Sequence, residues 1–310
     1  MERPEPREPI ATATAVANEA PARTASAATP AADPLAPDAC PTCGTAPLVT
    51  GAAATPSYVY AIGRIEPRFP RPSVEKEFAQ VTGRAETAGL TDRQAVQKVL
   101  SQRQNRYLAR QLCWVMTIEG LETYILTPRD PADVDLLVEA LRPAPSPMDL
   151  DCVIGFRGPI ASPETCNGLL VPIVLFDQIY SFDRDALIKA IPRPEKIPAK
   201  EFAPAAEELF DRLMHLTDNA GATDEHRALN YLAVRYQAIY ANAAEEFARN
   251  SSLTAVDVLP SPLSGTRKVV EVIFSYTNRA TDVVEKFFVR VDVTEEFPFL
   301  VTKMSPYYDR

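Results

Sequence analysis

Proline fixes φ and removes a backbone donor, so each one limits where a helix or a central strand can run. This chain has 29 prolines among its 310 residues, and they come in clusters. Ten fall in residues 1–57, where alanine and proline fill 27 of 57 positions and no aromatic residue occurs. Such a stretch buries too little apolar surface to offset its conformational entropy. The expectation is a disordered Ala/Pro-rich tail, with the fold starting near Tyr58. A second cluster, Pro192, Pro194, Pro198 and Pro204, reads as an extended connector over residues 192–204. It separates an N-terminal subdomain, 58–191, from a C-terminal one, 205–310.

Within 58–191 the pattern alternates strands with helices, as a mixed α/β unit would. Tyr58–Ile65 reads as a strand; Ser73, and then Thr91 with Asp92, are placed to cap two short helices. Cys113–Ile118 and Leu121–Leu126 flank Glu119 and Gly120 as a β-hairpin, with Trp114, Met116 and Ile118 expected on the face of Leu121 and Ile125. A helix over Pro131–Leu141 follows, then strands over Asp151–Phe156 and Val171–Tyr180, then a helix capped by Asp183. Residues 205–310 run helices first and strands afterward. Helices are expected over Ala205–Thr217 and Glu225–Ala248, then an antiparallel pair, Lys268–Tyr276 and Val283–Val293, flanked by strands at Val256–Leu259 and Phe299–Lys303. One face of that sheet, carrying Val289 and Val291, should lie under the helices. The fold class is therefore α+β: a mixed N-terminal subdomain plus a C-terminal unit of two helices and an antiparallel sheet.

Charge and residue counts exclude several functions. A net charge of -9 creates no field that selects phosphate backbones, so nucleic acid is not an expected partner. No run approaches the roughly 20 apolar residues that span a bilayer, so no membrane partner is expected. Five cysteines at irregular spacing do not form a disulfide framework, and they point to a reducing, cytoplasmic setting. Two histidines, His215 and His226, leave little material for general-base catalysis or metal ligation.

The sharpest local motif is Cys40-Pro-Thr-Cys43-Gly, in which two thiolates can converge on one tetrahedral ion. Zinc is the cofactor it would take, but the motif supplies only half of a site. Cys113 and Cys152 sit in apolar strand patterns and read as packed thiols, while Cys166 lies in a loop beside Asn167 and Gly168. Arg103, Arg106 and Arg110 fall broadly on one side at helical spacing, a surface that would take an acidic peptide segment through bidentate guanidinium contacts. The exposed edge of the 268–293 hairpin would accept an extended strand.

Several long strings resemble one family: YVYAIGRIEPRFP from Tyr58, NRYLARQLCWVMTIEGLETYIL from Asn105, GFRGPIA from Gly155, CNGL from Cys166, FDQIYSFD from Phe176, and EKFFVRVDVTEEFPFLVTKMSPYYDR from Glu285. They are similar to the C-terminal domain of unknown function of the patellamide-type cyanobactin maturation proteases, the PatG family. The resemblance implies a place in the maturation of ribosomally made, modified peptides. It carries over no catalytic residue, because the family's protease triad belongs to a separate domain. The expectation is a non-catalytic accessory domain that docks a precursor peptide or a subtilisin-like maturation protease. Two other classes compete with it: a zinc- or thiol-dependent peptide-modifying enzyme, and a scaffold that forms a homodimer.

Overall fold

In the computed structural model the described residues are 57–308, apart from 84–86, 88 and 217. The tail, with Cys40 and Cys43, lies outside them.

The first five strands, β1 (Tyr58–Arg68), β2 (Cys113–Ile118), β3 (Leu121–Pro128), β4 (Asp149–Ile160) and β5 (Pro172–Asp183), close into a barrel of order β1-β2-β3-β5-β4. All neighbours are antiparallel except β3 and β5, which pair in parallel from Ile125↔Ile173 to Pro128↔Phe176. The ring closes with a stagger. β1 pairs with β4 through Gly63 and with β2 from Arg64 onward. Where β1 leaves β4, the Asp151 carboxylate accepts from the Ile65 amide at 2.9 Å and from Ser181 Oγ at 2.5 Å, so the amide stays bonded.

Four short helices pack on this barrel: α1 (Pro72–Thr82), α2 (Asp92–Leu100), α3 (Arg106–Gln111) and α4 (Val134–Ala140). The expected Thr91 cap forms, as a capping box with Gln94. Ser73 does not cap α1, because Pro72 already occupies its first turn, after Arg71. Phe78, Leu100, Leu108 and Leu137 from the helices share one core with Val59, Trp114, Met116, Val153 and Phe176 from the strands.

The hairpin turns at Glu119 and Gly120 with φ of 51° and 81°, as a two-residue turn between twisted strands requires. Its register corrects the expected face. A shift between Met116 and Thr117 places Trp114 and Met116 opposite Leu126 and Tyr124, and Leu121 is left 73% exposed. Ile125 belongs to the other face, with Val115, where a loop over 161–171 covers it.

A larger correction concerns the cysteines. Cys113, at the start of β2, forms a disulfide with Cys166 across 53 positions of sequence. Neither is the separate thiol expected, and the argument for a reducing setting from unpaired cysteines loses its ground. Cys152 is the buried thiol that its strand pattern indicated.

Beyond the barrel, α5 (Arg184–Ala190) starts at the expected Asp183 cap, which accepts from the Ala186 amide at 2.8 Å. α6 (Ala199–Met214) begins earlier than proline spacing suggested and carries Pro204 inside it. The expected helix over 225–248 is two, α7 (Asp224–Arg235) and α8 (Ala238–Ala248). The break costs the Ala233 carbonyl its helical donor, and the Tyr240 hydroxyl replaces it at 2.7 Å. It also lets the Tyr236 oxygen accept from the Met304 amide at 2.9 Å.

The antiparallel sheet, β6 (Ser251–Pro260), β7 (Val269–Asn278), β8 (Val284–Asp292) and β9 (Phe299–Pro306), has these names in spatial order. Val272, Phe274, Val289 and Val291 pack beneath Leu209, Leu213, Leu229, Leu232 and Tyr240, the expected arrangement of helices over one sheet face. Both strands of the 268–293 hairpin are internal. Its edges are taken by β6 and β9, so they are closed to an added strand.

α7 is the wall between sheet and barrel. Tyr231 and Val234 pack on the barrel's outer residues Tyr60, Ile62, Cys152 and Ile154. The loop before α7 also docks on β1, where the Tyr60 amide donates to the Gly221 carbonyl at 2.9 Å. Gly221 has φ of +72°, and a Cβ there would lie 2.4 Å from the Tyr60 oxygen, so only glycine fits.

Candidate functional site

A cleft of about 480 Å³ opens where the barrel meets α6. Ile62 and Gly63 of β1, Ile118 of β2, Met148 just before β4, Leu150 of β4, and Phe210 and Met214 of α6 form its largely apolar walls. Each element turns an apolar side chain toward the junction, so the cleft is a gap between two cores. Gly63 permits the tight floor, because a Cβ would sit 2.4 Å from the Thr117 carbonyl oxygen.

The rim is charged. Arg184 donates from Nε to Asp185 at 3.2 Å and from Nη1 to Asp211 at 3.1 Å. The Arg64 guanidinium donates to the Pro147 carbonyl. His215 Nδ1 lies 2.6 Å from the Asp211 carbonyl oxygen, which can only accept, so Nδ1 carries the proton and Nε2 faces Glu119 at 3.8 Å. Glu119 reaches this position because the hairpin turn carries it over the cleft mouth.

The expected site residues lie elsewhere. Arg103 falls in a 3-10 turn over Arg103–Asn105, and Arg106 and Arg110 in α3. Arg103 and Arg110 are exposed, whereas Arg106 pairs with Asp135 of α4 at 2.7 Å, so the three do not present equivalent free charges. Cys40 and Cys43 are outside the described residues, and among the described residues no group of three or more His, Cys, Asp or Glu is placed to hold a metal ion. Cys166 is consumed in the disulfide, and burial pushes the Cys152 thiol up to about 12, so neither offers a thiolate near neutral pH. His226, on α7, is nearly buried. Among the described residues no helix is long and apolar enough to cross a membrane.

Sequence reasoning missed the cleft because its walls come from four separated segments. The one available signal was Glu119-Gly120, which marked a turn but not what it overhangs.

A second polar cluster ties the barrel to the sheet. Arg129, after β3, pairs with Asp177 of β5 at 2.9 Å and approaches Glu296 at 3.9 Å. Burial, with the Asp177 carboxyl beside it, pushes Glu296 up to about 7.

A closed five-stranded barrel joined through a helical layer to a four-stranded antiparallel sheet defines an α+β domain with an amphipathic cleft at the barrel–helix junction. The sequence profile described as "PatG Domain" matches residues 58–256, more than half of the chain, and the protein belongs to that family. A solved structure titled "PatG Domain of Unknown Function" is similar at 20% identity with a TM-score of 0.65, covering 81% of this chain and 98% of that one. At that identity it supports the fold alone. No curated protein sequence matches this chain.

Proposed function

We propose that this PatG-family domain is an accessory docking module in the maturation of ribosomally made peptides, and that it holds an extended segment of a precursor peptide or of a maturation protease. The observation that supports this reading is the cleft between β1, the β2–β3 turn and α6: about 480 Å³, apolar within and polar at the rim. Such a space fits one or two side chains of an extended segment, and its polar rim can orient the backbone. Two methionines, Met148 and Met214, suit a surface that adapts to more than one side chain. The thiol-dependent alternative has no available thiolate among the described residues.

Hydrogen exchange on the full chain, with and without a synthetic precursor segment, tests the reading. Added protection is expected in 62–66, 117–120, 147–150 and 210–215, and it should vanish in Met214→Trp, which fills the cleft. Protection confined to α3 or to β9 would overturn it.

A further inference from the structure

The loop over 161–171, between β4 and β5, is covalently tied to the barrel wall through one of its side chains. The Ala161 amide donates to the Val171 carbonyl at 2.9 Å and closes the loop's neck. Among the described residues its other hydrogen bonds stay inside it. The amides of Thr165, Gly168 and Leu169 donate to the carbonyls of Ser162, Pro163 and Cys166, and the Ser162 and Thr165 hydroxyls lie 3.0 Å apart. It is a self-bonded Ω loop. Two things hold it down on Val115 and Ile125: apolar packing by Ala161, Leu169 and Val171, and the Cys113–Cys166 disulfide. The two sulfurs are not equivalently placed. Cys113 sits in the β1–β2 ladder opposite Arg68, whereas Cys166 rides on the loop and lines a surface hollow of about 580 Å³ with Pro67, Phe69, Glu122 and Leu169.

We infer that this disulfide is a reversible latch, opened by a dithiol reductant that attacks Cys166, and that opening it frees the 161–171 loop while barrel and sheet stay folded. The latch does not depend on the docking function proposed above. Exchange needs access to a sulfur, and Cys166 is only 3% exposed. Segments with few ties to the rest of a fold open first, so outward motion of the loop brings Cys166, and not the strand-bound Cys113, into the hollow. The reductant's thiolate then bonds to the Cys166 sulfur, the S–S bond breaks, and Cys113 leaves as a thiolate that takes up a proton. The reductant's second thiol loses its proton, closes on the reductant's own sulfur in the mixed disulfide, and releases Cys166, which is protonated in turn. The reductant departs as a disulfide, and the protein has gained two electrons and two protons. After that the loop keeps its neck bond, but only apolar contacts hold it down, and Val115 and Ile125 meet water when it lifts. The barrel keeps its ladders, because none of its five strand pairings runs through residues 161–171.

The test uses the full chain carrying Cys40→Ser/Cys43→Ser, which leaves the buried Cys152 as the other thiol, with dithiothreitol and no denaturant. Alkylation with peptide mapping follows Cys113 and Cys166, and hydrogen exchange follows the backbone. Both cysteines are expected to become alkylated with the circular dichroism unchanged. Exchange in 161–171 should rise by about tenfold or more, with a smaller rise at 115 and 125 and none in 269–292, and oxidised glutathione should restore the protection. A brief exposure to reduced glutathione, quenched with acid, should leave its mixed disulfide on Cys166. Reduction that waits for urea to unfold the chain, or unchanged loop exchange once both thiols are free, would overturn the latch. So would glutathione trapped on Cys113, or loss of the folded signal on reduction, which would make the bond a clamp on the whole fold. Cys113→Ser/Cys166→Ser should show the reduced exchange pattern with or without dithiothreitol. Because the parent cysteines supply both states, the result does not depend on that variant folding.

Discussion

Arg227, on α7, donates from Nη1 to the Val293 carbonyl at 2.7 Å, joining the helical layer to the loop that follows β8. The same guanidinium bonds the Glu295 and Glu296 carbonyls, lies near Asp224 at 3.5 Å, and sits 5.1 Å from the centre of the Tyr58 ring at the start of β1. It is only 2% exposed. One side chain thus contacts the barrel, the helices and the sheet loop.

Replacing Arg227 with Met removes the donors while keeping much of the volume. Three carbonyls then lose a charge-assisted partner, and the expected loss of stability is about 3–5 kcal/mol. Urea denaturation of variant and parent measures it. Lys should recover only part, since one ammonium cannot match a planar fork. A loss below about 1 kcal/mol for Met would show that the loop is held by other contacts.

Asp151 yields a prediction about pH. Burial raises its carboxyl from 3.8 to about 6, against the opposing pull of the Ser181 and Ile65 bonds. The folded state holds this proton more tightly than the unfolded one, so its contribution to stability is full below about pH 4 and is lost as pH rises through 6. The fall is about 3 kcal/mol at about 1.4 kcal/mol per pH unit. Glu296, raised from 4.5 to about 7, adds a change of the same sign slightly higher in pH. Asp151→Asn, whose amide can still accept from Ile65 and donate to Ser181, should flatten the stability curve between pH 4 and 6. An unchanged slope in that variant would assign the pH response elsewhere.

The Cys113–Cys166 disulfide closes a loop spanning 53 positions, for which the chain-entropy estimate is about 4 kcal/mol. The Cys113→Ser/Cys166→Ser variant should melt at a clearly lower temperature than the oxidised parent and should be insensitive to reductant. Differential alkylation of the parent, read by intact mass, should report these two sulfurs as protected until reduction. Free alkylation of both in the unreduced, denatured chain would contradict the bond.

Local rules were readable wherever one residue type does one job. Thr91 and Asp183 cap the helices that follow them, and Glu119-Gly120 turns the hairpin. The alternation of β7 and β8 predicted the buried face because the helices cover one side. What was not readable depends on distant partners. The parallel pairing of β3 with β5 leaves no mark in either strand's pattern. The break between α7 and α8 has neither proline nor glycine; it follows from Tyr236 and Tyr240 finding carbonyl and amide partners that a continuous helix would not offer. For Cys113 and Cys166, proximity arises only when the 161–171 loop folds over β2. The cleft belongs to this group, since its charge pattern exists only after β1, the hairpin turn and α6 converge.

The place of β5 in the barrel has a consequence for synthesis. It lies between β3 and β4, so the ring stays open until Pro172–Asp183 has been made. A ribosome that has delivered β1 through β4 therefore holds a four-stranded ribbon with β3 and β4 as bare edges. The strand that bonds both edges at once is followed directly by α5, whose Asp183 cap is the last residue of that strand. Completion of the barrel and the start of the helical layer are thus a single event in the growing chain, and a truncation just before Pro172 would leave neither half with its wall.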